Sequence, residues 1–164
     1  VGFREEITGE FCEFNADKAY KNSKLCNILF AKELTKRLRN KFDEIAVITW
    51  APGLVIPNDN LGFFRYSKKF NRFGYMIFSI FAKNILGISE DVEDAGKILS
   101  EICTDSDFDN IKFIHLSNKL ISYKRHKLII SNISDEADRP ELALKLWDLS
   151  QDLCRSFGLF SFNI

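Results

Sequence analysis

The sequence predicts an α/β fold, and three observations lead to it. A long helical pattern runs from Lys18 to Asn40, in which Ala19, Leu25, Ile28, Leu29, Leu34 and Leu38 recur at spacings that build one apolar face. A short β-branched and apolar run, Ile45-Ala46-Val47-Ile48-Thr49-Trp50, follows and stops at Pro52-Gly53. Apolar on both faces, such a run reads as a central parallel strand rather than an alternating edge. Helix and strand then alternate to the end of the chain, the order of right-handed βαβ units.

The elements can be justified in turn. Lys32, Lys36, Arg37 and Arg39 occupy the rest of the first helix, and the basic last turn suits a helix C-terminus. Ser89 to Cys103 reads as an amphipathic helix with Ser89 as N-cap and Glu90, Asp91, Glu93 and Asp94 in its first turns. Lys112-Phe113-Ile114-His115-Leu116 is a second candidate strand. Asp135 to Phe157 is predicted helical, opened around Pro140 and closed by Gly158. His115 reads as a satisfied strand residue, and His126, within Lys124-Arg125-His126-Lys127, as part of a solvated loop. Two strands do not complete a doubly wound sheet, so the further strands are expected upstream of Val1. The start Val1-Gly2-Phe3-Arg4, with neither Met nor a targeting pattern, gives the same expectation.

Composition narrows the function classes. The chain has 164 residues, 46% hydrophobic and 28% charged, a globular balance suited to one folding unit. Its 23 basic and 23 acidic residues leave no net field to draw it onto nucleic acid. No apolar run is long enough for a spanning helix. Cys12, Cys26, Cys103 and Cys154 are scattered and read as reduced thiols. With only two histidines and no paired Cys/His spacing, no metal site is expected.

The residues that could carry chemistry lie in Lys18-Ala19-Tyr20-Lys21-Asn22-Ser23-Lys24-Leu25-Cys26-Asn27. Tyr20 and Lys24 are one helical turn apart and share a face. An ammonium near a phenol favours the phenolate, and the pair then offers a general acid to a carbon or oxygen receiving hydride from a cofactor. A solvent-facing Tyr and Lys with no role would have the same spacing.

The wording A-Y-K-N-S-K-L-C-N resembles the active-site helix of the short-chain dehydrogenase/reductases, and more narrowly that of the light-dependent protochlorophyllide oxidoreductases, A-Y-K-D-S-K-V-C-N. Trp50-Ala51-Pro52-Gly53 resembles the strand and Pro-Gly loop over the nicotinamide. Leu61-Gly62-Phe63-Phe64-Arg65 is similar to the family's G-L-F-R, Asp94-Ala95-Gly96 to its E-A-G, and Ala143 to Ser150 to its closing helix. The resemblance implies a Rossmann-type doubly wound parallel sheet, of which residues 1–164 are the C-terminal half, with active-site helix 18–40, lid 61–86 and closing helix 135–157.

It also implies an NADPH-dependent reductase that reduces a ring double bond in a tetrapyrrole or other large lipophilic substrate. Tyr20 would donate the proton, Lys24 would bind the nicotinamide ribose and lower the Tyr20 pKa, and Pro52 and Gly53 would line the nicotinamide side. Cys26, Phe63 and Phe64 would lie against the substrate, although Cys26 is equally readable as an inert buried thiol. A photosynthetic source follows, a cyanobacterium (cytoplasm or thylakoid surface) or a plastid. Oligomeric state is left open. A light-independent dehydrogenase on a lipophilic carbonyl and a silent pigment-binding scaffold are the competing readings.

The sequence departs from the family in three places. It has no Gly-rich turn for a pyrophosphate. Leu54-Val55-Ile56-Pro57-Asn58-Asp59-Asn60 carries neither the Cys nor the Thr that follow Pro-Gly in the family. Gly87-Ile88-Ser89 stands in place of Gly-Tyr-Val.

Between Leu61 and Leu86, Phe63, Phe64, Tyr66, Phe70, Phe73, Tyr75, Phe78 and Phe81 interleave with Arg65, Lys68, Lys69, Arg72 and Lys83. This composition suits a lid over a flat apolar ligand, a peripheral membrane contact, or an ordinary amphipathic helix in a Phe-rich chain. Stacking on nucleic-acid bases is disfavoured by the zero net charge.

Overall fold

The computed structural model describes residues 15–39, 42, 44–57, 64–109 and 111–158. In chain order the elements are α1 (Ala16–Leu38), β1 (Val47–Ala51), β2 (Leu54–Val55), α2 (Arg65–Phe70), α3 (Arg72–Ile80), β3 (Ser89–Glu90), α4 (Val92–Thr104), β4 (Phe113–Ser122), β5 (Arg125–Ile130) and α5 (Pro140–Ser156). A π-helical turn, Phe81–Ile85, continues α3, and a 3₁₀ turn, Ser106–Phe108, follows α4. The α/β class is as predicted. One sheet has the order β1-β4-β5, and β2 pairs with β3 in parallel. The residues divide into two compact units, one drawn from Val1–Thr49, Asp109–His115 and Asn132–Ile164, the other from Trp50–Phe108 and Leu116–Ser131. Strands β1 and β4 contribute residues to both.

The first unit is built on α1 and α5. Helix α1 starts where the Asn15 side chain accepts the Lys18 N–H at 3.0 Å, satisfying one of the orphan donors of a first turn. Helix α5 starts at Pro140, whose missing N–H costs nothing there, and is followed by Gly158 at φ +69°. The helix predicted from Asp135 therefore begins later, because Asp135 to Asp138 form a turn closed by Asp138 N–H onto the Ser134 carbonyl at 3.0 Å. Leu29, Ala143 and Leu146 form the buried centre between the helices, with Leu25, Leu142 and Leu149 around it. Trp147 stacks on Phe30 at 5.2 Å and carries the Arg37 guanidinium 4.5 Å from its ring. Glu33 is 3% exposed on this helix, and Arg37 Nε donates to its carboxylate at 2.8 Å. That arrangement satisfies a charge that would be costly to bury alone. His115 is a satisfied strand residue as expected, its Nδ1 2.9 Å from Thr49 Oγ1, and burial holds its imidazole below the ordinary histidine value.

Strand β1 stands at the outer position of the three-stranded order among the described residues, and all five of its residues are half-buried. The second unit corrects two expectations. Ser89 is not a helix cap. Ser89 and Glu90 are drawn into parallel pairing with Leu54 and Val55, which moves the start of α4 to Asp91 and Val92. His126 is not in a solvated loop. Strand β4 runs on to Ser122 and turns back through Tyr123 and Lys124, so that His126 pairs with Leu120 in an antiparallel hairpin. The turn has Lys124 at φ +56°, an unusual backbone for a residue with a Cβ, and no Asn-Gly marks it in the sequence.

Leu29 is 2% exposed at the centre of the α1–α5 packing, so Leu29→Ala is expected to destabilise the protein by about 2–5 kcal/mol in urea unfolding. Leu144→Ala, on the exposed side of α5, serves as the control and should change little.

Candidate functional site

Helix α1 presents Tyr20 and Lys24 together. The Lys24 ammonium stands 5.4 Å from the centre of the Tyr20 ring, and Tyr20 is 45% exposed. The (i, i+4) spacing thus brings the two residues to one face, as the sequence predicted. Leu29 is buried on the opposite side, and the packing against α5 fixes the rotation of α1 about its axis. Ser23 Oγ donates to the Tyr20 carbonyl at 2.7 Å, a local bond that leaves the phenol on the outer face. Cys26 is half-buried against the α1–α5 core, and burial pushes its thiol above the ordinary value.

In the second unit, Pro52 and Gly53 form the turn between β1 and β2. Gly53 has φ +80°, a conformation that favours glycine, and a side chain there would extend to within 3.6 Å of the Asn118 carbonyl oxygen. Phe64 packs on Tyr75 and Phe78, with ring centres 5.8 and 5.6 Å away. Phe63 lies outside the described residues, as does the loop from Asn58 to Gly62. Tyr20, Lys24 and Cys26 thus belong to one unit, and Pro52, Gly53 and Phe64 to the other.

Segment 65–86 folds as α2, α3 and the π-helical turn, and of these residues only Ala82 is buried. Tyr66, Phe70, Phe73, Met76, Ile80 and Phe81 are exposed, Phe70 to 76%. Exposed apolar side chains in this number make the segment a candidate contact surface. Beside it, Arg65, Lys68, Lys69, Arg72 and Tyr75 line a cleft of about 550 Å³. The cleft is basic, where a lid over an apolar ligand would suggest an apolar lining. No Asp or Glu occurs between Phe64 and Ser89, so this charge is locally unbalanced in a chain with no net charge.

A polar cluster that the sequence reading missed lies beneath the end of this segment. Asn118 Nδ2 donates to Glu90 Oε2 at 2.6 Å, Trp50 Nε1 donates to Asn118 Oδ1 at 3.3 Å, and His126 Nδ1 lies 3.4 Å from Glu90 Oε1. Glu90, Asn118 and the His126 side chain are all buried or nearly so. Glu90 and Asn118 look like ordinary surface residues in sequence. The one available signal was the alternation Arg125-His126-Lys127-Leu128, which places His126 opposite its charged neighbours in a strand.

The chain is similar to known protochlorophyllide reductases. It is 30% identical over 142 residues to the chloroplastic protochlorophyllide reductase B of Oryza sativa subsp. japonica, covering 86% of this chain and 32% of that protein. The barley (Hordeum vulgare) chloroplastic reductase B is 31% identical over 93% of this chain and 35% of its own length. The chloroplastic protochlorophyllide reductase of Cucumis sativus is 33% identical over 86% of this chain and 32% of its own. The chain spans about a third of the length of these relatives. No protein-family model matches it. The resemblance read in A-Y-K-N-S-K-L-C-N therefore extends over most of the chain.

Burial of the Cys26 thiol reduces its thiolate fraction at neutral pH, whereas Cys103 is exposed. Peptide mapping after brief iodoacetamide treatment at pH 7.5 is expected to find Cys103 alkylated well before Cys26, with the gap narrowing as pH rises.

Proposed function

We propose that the protein carrying this chain is an NADPH-dependent reductase of the protochlorophyllide type, acting in chlorophyll biosynthesis. The observation that carries the reading is the exposed Tyr20–Lys24 pair on one face of α1, in a chain about 30% identical to named protochlorophyllide reductases over most of its length. Its oxidoreductase character rests on that similarity, and its residue roles on the matching motif.

The residues present fit a nicotinamide nucleotide. Lys24 offers an ammonium with three donors to the hydroxyls of a ribose, and the matching motif assigns Pro52 and Gly53 to the nicotinamide side. When bound, NADPH supplies the hydride. Tyr20 then delivers the proton to the neighbouring carbon of the reduced double bond, its phenol standing on the exposed face of α1 beside Lys24. Lys24, above the Tyr20 ring, stabilises the phenolate left behind. Cys26 and Phe64 contribute apolar surface to the substrate. The exposed aromatic face of α2 and α3 covers the pigment, and the cations of the adjacent cleft suit a substrate that carries a carboxylate. Contact of that face with an anionic membrane surface is the competing occupant. We place the protein in a plastid rather than in a cyanobacterial cytoplasm, since the relatives named above are chloroplastic.

The full-length gene product, mixed in the dark with NADPH and protochlorophyllide and then illuminated, is expected to show a red shift of the pigment absorption band. Tyr20→Phe should lower that conversion by about 10²–10⁴-fold while pigment binding is retained. Pigment binding without a shift would indicate a silent scaffold. Neither binding nor a shift would move the assignment to a light-independent dehydrogenase acting on another lipophilic substrate.

A separate flotation experiment locates the aromatic face. If it covers pigment, phosphatidylglycerol vesicles should carry the protein upward only when pigment is absent. Flotation unaffected by saturating pigment would assign that face to the membrane instead.

A further inference from the structure

Glu90 is a buried carboxylate to which the proposed chemistry gives no part. It lies on β3, four residues beyond Leu86, where the aromatic segment ends. One of its oxygens accepts from Asn118 on β4, and the other faces His126 on β5. Asn118 in turn accepts the indole N–H of Trp50, the residue two before Pro52, and its backbone carbonyl lies under Gly53. His126 Nε2 lies 3.3 Å from the Ile88 carbonyl oxygen, so its ring stands between Glu90 and the backbone two residues before it.

The end of the aromatic segment is fixed by a second set of contacts. The Lys124 N–H donates to the Gly87 carbonyl at 3.1 Å, and Tyr123 Oη donates to the Asn84 carbonyl. Gly87 has φ +61°, and a Cβ there would fall 2.8 Å from the Lys124 nitrogen, so the hairpin turn can close only on a glycine. One carboxylate therefore stands between the Pro52-Gly53 turn on one side and the anchored end of the aromatic segment on the other.

We propose that Glu90 is a positioning residue, which through Asn118 and Trp50 sets the Pro52-Gly53 turn for the nicotinamide and through His126 holds the end of the pigment-covering segment. This rests on the reductase reading given above for the site. A carboxylate serving only to satisfy buried donors would affect stability and nothing else. A positioning carboxylate should affect cofactor binding while leaving the proton-transfer step intact.

The test uses the full-length gene product with Glu90→Leu and Glu90→Gln, the latter retaining an oxygen that can accept from Asn118. The readouts are the Trp50 indole N–H resonance (assigned with Trp50→Phe), the NADPH dissociation constant, and KM against kcat for light-driven reduction. Glu90→Leu is expected to shift the Trp50 resonance and raise the NADPH dissociation constant and KM by about tenfold with kcat little changed, and Glu90→Gln to restore most of the difference. A lower melting temperature with the Trp50 resonance and NADPH affinity unchanged would overturn the proposal. If Glu90→Leu does not fold, Asn118→Ser cuts the same link and the same outcomes apply. If the wild-type protein binds NADPH but reduces no protochlorophyllide, the substrate assignment fails while the resonance and affinity still decide the role of Glu90. Absence of NADPH binding by the wild type would overturn both.

Discussion

The packing of α1 against α5 is the constraint on which the Tyr20–Lys24 face depends. Leu29 is nine positions after Tyr20, and at about 100° per residue it lies roughly opposite on the helix. Burying Leu29 between Ala143 and Leu146 therefore turns Tyr20 outward, and Lys24, roughly 40° away from Tyr20, turns with it. The rotation is reinforced further along by Glu33, Arg37 and Trp147. The guanidinium satisfies the buried carboxylate and covers the indole ring at once. A site made of two exposed side chains is in this way defined by residues that never touch a ligand.

What could be read from the sequence follows from the range of the interactions involved. Helix α1, the strand at Val47, Pro140 at the start of α5 and Gly158 beyond its end are encoded by residues within one or two turns of each other, and each was legible. The start of α4 was not, since Ser89 and Glu90 satisfy the local rule for a cap but are claimed by pairing with Leu54 and Val55, 35 residues upstream. The β4–β5 hairpin was hidden because its turn uses Tyr123 and Lys124, and its outward charges gave it the look of a loop. Of the candidate site, the Tyr20–Lys24 pair needed only helical spacing. The Glu90 cluster joins positions 50, 90, 118 and 126, and no short-range pattern links them.

Global charge conceals a division of labour along the chain. The balance of acidic and basic residues gives no hint of partners, yet from Phe64 to Ser89 every charged residue is basic and most large apolar residues are exposed. The stacking of Tyr66 on Phe70 and the cations over both rings preserve some order on this surface without burying it. A net excess of acidic residues elsewhere offsets the segment's basic ones, so it is locally cationic in a chain with no net charge.

The π-helical turn at Phe81–Ile85 bears on how this region can vary. Its closing bond runs from the Leu86 N–H to the Phe81 carbonyl, spanning one residue more than an α-helical bond. A π-turn behaves as a single-residue insertion that the helix has absorbed, so the residues after it stand where a regular helix one residue shorter would put them. Gly87 therefore meets the hairpin turn in the phase of that shorter helix. Removing one residue within Phe81–Ile85 would regularise the helix and leave Gly87 facing Lys124, whereas removing one from α3 ahead of an intact π-turn would rotate the aromatic face by about 100° relative to Gly87. The π-turn is thus the one place in this stretch where chain length can change without turning the exposed rings away from the anchored end.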